Sequence, residues 1–488
     1  MQHATSRPAP RSVLLVGRRF LPSLSAPLVV LLLLVGVATG CDSDAGTGIA
    51  YPLVTRGGQI VDQQGRVTIL RGVNYNGIES MLFTEQPPEA ADFQKIRRWG
   101  FNVIRFPVSW EFIEPERDQI DEGYLQDWVE PVFDYAAREG IGVILDMHQW
   151  NWSTCFSPPD GGGAGVPQWA LPEWTRGNCP YEGDDASGWM TRAAAEFWQD
   201  ADMRGEYMEL WEMIARRYKD EPAVVAYDLF NEPWPDLALP PEDADRDVLQ
   251  PFYEELIGRI RAIDATRLII YEPHITWDLF GNQFTSMPFD NIVYSTHLYS
   301  GGTAGGETGY NGDSAPLLAQ VQRSVAEAES QGVPLLVGEF GIGMRENYQA
   351  WIRDEFRFQE QHVIGGTWWS MRQHDNTTFG LTEFDTRAEK RGLLDLVSRP
   401  YPVATAGDLI SFSFDEQSRT LTMTFANNPD ASGETLIAIP KYQYPGGIKV
   451  TSPDPGEDYL AVTQGDEYMR LTVDPARPRH TIVITPID

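Results

Sequence analysis

Cysteine is nearly missing from this chain: there are three in 488 residues. So low and odd a count excludes a disulfide-dense scaffold and a complete internal pairing. No CxxC or HExxH pattern occurs, and no Gly-rich GxGxxG turn follows the first apolar run, which removes the common zinc and dinucleotide signatures. Basic side chains are scarce as well, 38 against 70 acidic ones. A net charge of -32 repels phosphate and argues against nucleic acid as a partner. Long apolar runs are also lacking. The longest, Leu28 to Val37, would span about 15 Å as a helix, half of a hydrocarbon core, so it is not a membrane span. Tandem repeats and low-complexity tracts are absent. What remains is ordinary for a globular protein, 42% hydrophobic and 22% charged. At roughly 100 to 200 residues per domain, the length suits one large barrel with a smaller companion.

The first 40 residues carry Arg7, Arg11, Arg18 and Arg19 and no acid. With the short apolar run behind them they read as a signal peptide, residues 1–40. The run ends in Ala38-Thr39-Gly40-Cys41, which resembles a bacterial lipobox and would make Cys41 the acylated first residue of the mature chain. The competing reading is an ordinary signal peptide with a free thiol left nearby. Removing residues 1–40 takes the net charge from -32 to -36. An exported chain meets an oxidising compartment, which favours pairing of Cys155 with Cys179. The loop closed would be about 25 residues, worth on the order of 3 kcal/mol by chain entropy. A metal pair is the weaker alternative, for want of neighbouring histidines.

After a polar linker, residues 41–51, short apolar runs alternate with amphipathic stretches. Eight runs read as buried parallel strands: 68–73, 102–106, 142–147, 224–230, 268–271, 292–296, 334–337 and 365–369. Helical periodicity fills most gaps, over 90–99, 124–138, 193–218, 248–263, 315–331 and 348–360. This predicts an α/β fold, a (β/α)8 TIM barrel over residues 52–400. Beyond Arg399-Pro-Tyr-Pro402 the period becomes two. Runs such as 409–414, 420–425, 434–439 and 481–485 predict a C-terminal antiparallel β-sandwich domain over 401–488.

In a barrel of this kind, chemistry sits at the carboxyl ends of the strands. Strand four ends in Asn231-Glu232-Pro233 and strand seven in Gly338-Glu339-Phe340-Gly341. A carboxylate closing an apolar strand is costly to desolvate, and two of them invite acid/base work. Glycoside hydrolysis requires such a pair. Their order and placement resemble the retaining glycosidases of glycoside hydrolase family 5. That resemblance implies Glu232 as acid/base and Glu339 as nucleophile. It also implies Arg105 holding Glu339 ionised, Asn231 on the sugar 2-hydroxyl, and His148 on another hydroxyl. His297 and Tyr299 would donate near the carboxylates, and Trp369 would floor the first sugar subsite. No cofactor or metal is implied; a metal reading of His148, His297 and Glu339 has no motif behind it.

Arg399 to Gly407 and Asp146-Met-His-Gln149 resemble the crossover and third-strand motif of endoglycoceramidases, which release an intact glycan from ceramide. The resemblance covers residues 52–487. It implies a glycosphingolipid as partner, membrane contact through the substrate lipid and any acyl anchor at Cys41, a monomer, and a location outside the cytoplasm, secreted or anchored to the cell envelope. Trp150, Trp152, Trp169, Trp174, Trp189 and Met81-Leu-Phe83 are material for a lipid slot, or loop packing. Two departures stand out: Trp150 replaces an Asp that usually follows Gln, and Gly72 to Glu79 has no lysine. Both positions recognise glucose, so the pattern leans toward galactosylceramide-type substrates. A family 5 endoglucanase or mannanase, an exo-glucosidase and a non-catalytic carbohydrate-binding lipoprotein remain open.

Overall fold

The computed structural model describes residues 48–75, 86–157, 163–177, 179, 186–236, 239–299, 309–372, 379–454 and 461–487. The leader, Cys41 and Met81 to Phe83 lie outside the described residues. Among those described, no helix is long and apolar enough to cross a membrane.

Three short strands come first: β1 (Val54–Arg56), β2 (Gln59–Val61) and β3 (Val67–Thr68). Eight parallel strands follow: β4 (Arg71–Asn74), β5 (Val103–Val108), β6 (Gly142–Met147), β7 (Val224–Asp228), β8 (Leu268–Tyr271), β9 (Ile292–Leu298), β10 (Leu335–Phe340) and β11 (Gly365–Trp368). They close into a barrel in chain order, with Trp368 of β11 beside Val73 of β4. Each matches one expected run. The first is shifted, because Ile69 and Leu70 carry the chain from β3 in one sheet to β4 in another.

The C-terminal strands are β12 (Tyr401–Thr405), β13 (Asp408–Asp415), β14 (Thr420–Ala426), β15 (Thr435–Ala438), β16 (Ile448–Thr451), β17 (Ala461–Gln464), β18 (Tyr468–Thr472) and β19 (Arg479–Pro486). One antiparallel sheet runs β13-β14-β19-β16. The other runs β1-β2-β3-β12-β15-β18-β17. The expected boundary at residue 52 is therefore corrected: β1 to β3 belong to the C-terminal sheet, and the barrel starts at Arg71. The expected linker is corrected at its end too, since Ile49 is buried and Ala50 accepts from the Gln63 N–H.

The barrel strands are buried on both faces, and their residues divide by parity. Ile104, Val143, Ile269 and Val337 join the core beneath the surrounding helices. Val103, Ile144, Ala226, Leu268, Ile270, Val293 and Leu336 belong to a second core that continues into the C-terminal sheets through Val403 and Ile437. Arg71 bolts the two parts together. It is fully buried, with its guanidinium 5.0 Å from the Phe356 and Tyr401 ring centres and 3.8 Å from Glu360.

Most helices fall where the period placed them. The expected helix over 193–218 is two, Ala186–Gln199 and Ala201–Tyr218, because Asp200 interrupts it and caps the second by accepting from the Asp202 and Met203 N–H groups.

Candidate active site

Two residues beyond the apolar plug, the same strand faces turn polar. Arg105 follows Val103, Asp146 follows Ile144, Asp228 follows Ala226, Glu272 follows Ile270, and His297 stands four residues after Val293. The barrel mouth therefore carries a layer of charge above a layer of hydrocarbon.

Arg105 is the centre of that layer and is fully buried. Its Nε donates to Asp228 Oδ2 at 2.7 Å, and Nη1 donates to Glu339 Oε1 at 2.8 Å and Asn74 Oδ1 at 3.2 Å. Nη2 faces Asn231 Oδ1 at 2.9 Å, with Asp146 Oδ1 and Glu272 Oε1 each at 3.0 Å. Four carboxylates around one guanidinium leave excess negative charge. Burial, only partly offset by Arg105, pushes Asp228 up to about 8.

Glu232 and Glu339 stand across this hub. Glu339 lies inside β10, which extends beyond the expected end at Val337 with a register shift against β9. Its Oε2 accepts from Tyr299 Oη at 2.9 Å. Glu232 takes the left-handed backbone region, φ 42°, where its N–H donates to Glu272 Oε2 at 2.8 Å. Its Oε1 lies 2.7 Å from His297 Nδ1, and that nitrogen is 3.6 Å from Glu339 Oε2. Glu232, His297 and Glu339 bring one donor atom each within 4.8 Å of one another. A divalent cation would fit that spacing, but hydrogen bonds already join Glu232 to His297. His148 is not in this set, because its Nδ1 is bound to Asp146 Oδ2 at 2.8 Å.

The three groups share protons. Burial alone would lower His297, yet Glu272, Glu339 and Glu232 outweigh it and hold the imidazolium far above the usual histidine range. Burial would raise Glu232, but the bond to His297 wins and keeps it below the carboxylate range. At Glu339 burial wins over His297 and Arg105, and its pKa sits above that range.

The remaining expected residues also meet here. His148 is buried and lies parallel to the half-buried Trp369, ring centres 5.5 Å apart. Asn231 is held by Arg105 and donates to the Gln149 carbonyl at 3.0 Å, while Gln149 Nε2 donates to the carbonyls of Asn231 and Glu232. The sequence reading missed Glu272, Asp228, Asn74 and the clamp made by Gln149. Glu272 had a signal: in Tyr271-Glu-Pro273 a carboxylate closes strand five, as at strands four and seven.

Two expectations are corrected. Of the five tryptophans offered for a lipid slot, Trp152 is fully buried, and Trp169, Trp174 and Trp189 pack against the same core; only Trp150 is exposed, at 48%. The bridge between Cys155 and Cys179 is not formed: both are free thiols, although the two side chains are hydrogen-bond partners. Burial raises both thiols, so neither is an activated nucleophile.

Residues 61–375 match the family model for Cellulase (glycosyl hydrolase family 5), and residues 399–484 match the glycoside hydrolase family 5 C-terminal domain. Endoglycoceramidase I of Rhodococcus hoagii (strain 103S) is 27% identical, over 82% of this chain and 83% of its own. Endo-glycoceramidase II from Rhodococcus sp., solved as a lactosyl-enzyme intermediate, superposes with a TM-score of 0.72 at 25% identity, over 88% of this chain and 99% of that one. An endogalactoceramidase structure gives a TM-score of 0.69 at 25% identity, covering 89% and 99%.

Proposed function

The chain belongs to glycoside hydrolase family 5, and from that premise we propose that it is a retaining endo-glycosidase cutting the β-glycosidic bond between glycan and ceramide in glycosphingolipids. The carrying observation is the placement of Glu232 and Glu339 at the ends of β7 and β10, with an oxygen of each within 4.8 Å. That falls short of the roughly 6.5 to 9.5 Å that inverting enzymes need for their water and agrees with the roughly 5 to 5.5 Å of retaining enzymes.

Glu339, held by Arg105 and Tyr299, attacks the anomeric carbon. Glu232 protonates the departing oxygen and then takes a proton from the water that releases the glycan. The mobile proton is held on His297 by its carboxylate neighbours Glu272, Glu339 and Glu232. Its transfer across the 2.7 Å bond to Glu232 Oε1 arms the acid and leaves a neutral imidazole. With that proton removed from beside Glu339, closure by the sugar must keep the nucleophile ionised through Arg105.

A lipid aglycone suits the rim. Trp150 after β6, Leu279 and Phe280 after β8, and Met344 after β10 are all exposed, from 48% to 72%. The lean toward galactosylceramide-type substrates rests on Trp150, on the absence of lysine from Gly72 to Glu79, and on the likeness to the endogalactoceramidase structure. Residues 1–41 supply the rest of the reading: export, with acylation of Cys41 holding the enzyme at the cell envelope, where Cys155 and Cys179 meet an oxidant. Mass spectrometry of the mature N-terminus should find a diacylated Cys41; an unmodified terminus removes the anchor.

Products from glucosyl-, lactosyl- and galactosylceramide-based glycolipids, separated and weighed, test the activity. Intact glycan plus free ceramide is expected, most from the galactosyl series. Soluble glucan or mannan cleaved with glycolipids untouched would replace this reading with an endoglucanase or mannanase. NMR should show the released sugar first as the β-anomer.

A further inference from the structure

We propose that Glu272 is a positioning residue that holds the acid/base apparatus in register, gripping the Glu232 backbone with one oxygen and the His297 ring with the other. It rests on the retaining-hydrolase reading but not on the ceramide substrate.

Three contacts carry it. Glu272 Oε2 accepts the Glu232 N–H at 2.8 Å, at a non-glycine residue whose φ of 42° needs an anchor. Oε1 lies 3.1 Å from His297 Nε2. That ion-pair contact places the ring: Nε2 faces the Glu272 carboxylate, and Nδ1 is the atom left to exchange a proton with Glu232 Oε1. The same Oε1 receives Arg105 Nη2 at 3.0 Å, which ties the pair to the guanidinium that holds Glu339. Glu272 itself is 2% exposed, so its charge is felt undiluted.

Geometry separates this role from packing. Glu272 sits two residues beyond Ile270 on the same inward strand face, within the charged layer, and its own carbonyl is held by Tyr253 Oη at 3.0 Å. The charged and titratable groups facing it are Arg105 from β5, Asp228 and Glu232 from β7 and its end, His297 from β9, and the phenols of Tyr207 and Tyr253 from the outer helices. Arg105 and His297 are the cations among these. Removing the Glu272 charge while keeping its shape must therefore leave His297 Nε2 and Arg105 Nη2 without their shared anionic acceptor and let the imidazole and the acid drift out of register, with no contact to the sugar lost.

Aryl β-glycosides with leaving groups of graded acidity test this, since a good leaving group departs without a proton and a poor one does not. For E272Q, kcat/KM should fall about 100-fold on poor leaving groups and less than about 5-fold on 2,4-dinitrophenyl glycosides. The alkaline limb of its pH profile should move down by about one unit, because the imidazolium loses a stabilising neighbour. A loss uniform across leaving groups with an unmoved pH profile would mark Glu272 as structural and overturn the proposal; so would no loss at all. If E272Q does not fold, E272D, which keeps the charge but retracts from the Glu232 N–H, carries the same leaving-group test. An inactive wild-type enzyme on these glycosides would instead count against the hydrolase reading itself.

Discussion

Glu339, the proposed nucleophile, has two tethers, Arg105 and Tyr299, and neither supplies a carboxylate oxygen in its place. E339S should lose hydrolysis by at least about 10³-fold, yet join glycans to acceptors when supplied with an α-glycosyl fluoride, because the acid/base and the sugar floor are intact. Hydrolysis left near the wild-type rate would remove Glu339 from its role. Trp150 is where specificity should respond. Its side chain stands exposed next in sequence to Gln149 and His148, the latter proposed for a sugar hydroxyl, at a position where the family resemblance implies an acceptor for glucose hydroxyls. W150D should raise the ratio of kcat/KM on glucosyl- over galactosylceramide-type substrates by about 10-fold, the scale of one hydrogen bond to a charged group. A ratio unmoved by the change would place the discrimination elsewhere.

At the scale of elements, the insert between β6 and the helix Ala186–Gln199 hangs on Gln149, whose Oε1 accepts the Trp152 N–H and whose Nε2 clamps the carbonyls beside the acid/base. Oxidising Cys155 and Cys179 would close this insert. We expect a 2 Da mass loss and a higher Tm, reversed by reductant and absent in C155S; identical melting of both forms would make the thiols incidental. What the sequence made legible follows the same scale. Apolar runs located seven of the eight barrel strands and overlapped the eighth, since strands buried on both faces are apolar over most of their length. Strand ends revealed Glu232 and Glu339, where a charge interrupts such a run. Glu272 escaped although it obeys the same rule, because nothing local says that His297 and the Glu232 N–H will converge on it. The first barrel strand was misplaced because Thr68 to Val73 is uniformly buried while belonging to two sheets, and apolar content cannot tell which sheet does the burying.

For the whole molecule, acid is the tolerated direction. Burial raises Asp228 to about 8, and Glu111 and Glu355 to about 7. A carboxyl with a raised folded pKa binds protons that the unfolded chain has released, so its stabilisation is full below about pH 4 and is lost as pH climbs through 7 and 8. Asp264 works the other way: the Thr266 and Arg267 N–H groups overcome burial, and its contribution is lost as pH falls below the carboxylate range. Ionising the surface of a chain that is already at -32 adds self-repulsion on the alkaline side. Tm should therefore be highest near pH 5 and lower at pH 9; a Tm that rises across that interval would contradict the raised carboxyls. The placement of β1 to β3 in the C-terminal sheet has a temporal consequence. Thr68 of β3 pairs with Ala404 of β12, so the edge of β3 stays open until about 340 more residues are made, roughly 20 to 70 s of synthesis. Throughout that interval it is a template for the wrong strand. A chain ending at residue 400 would keep that edge for good, so shortening the protein to its barrel should yield aggregates rather than a smaller enzyme.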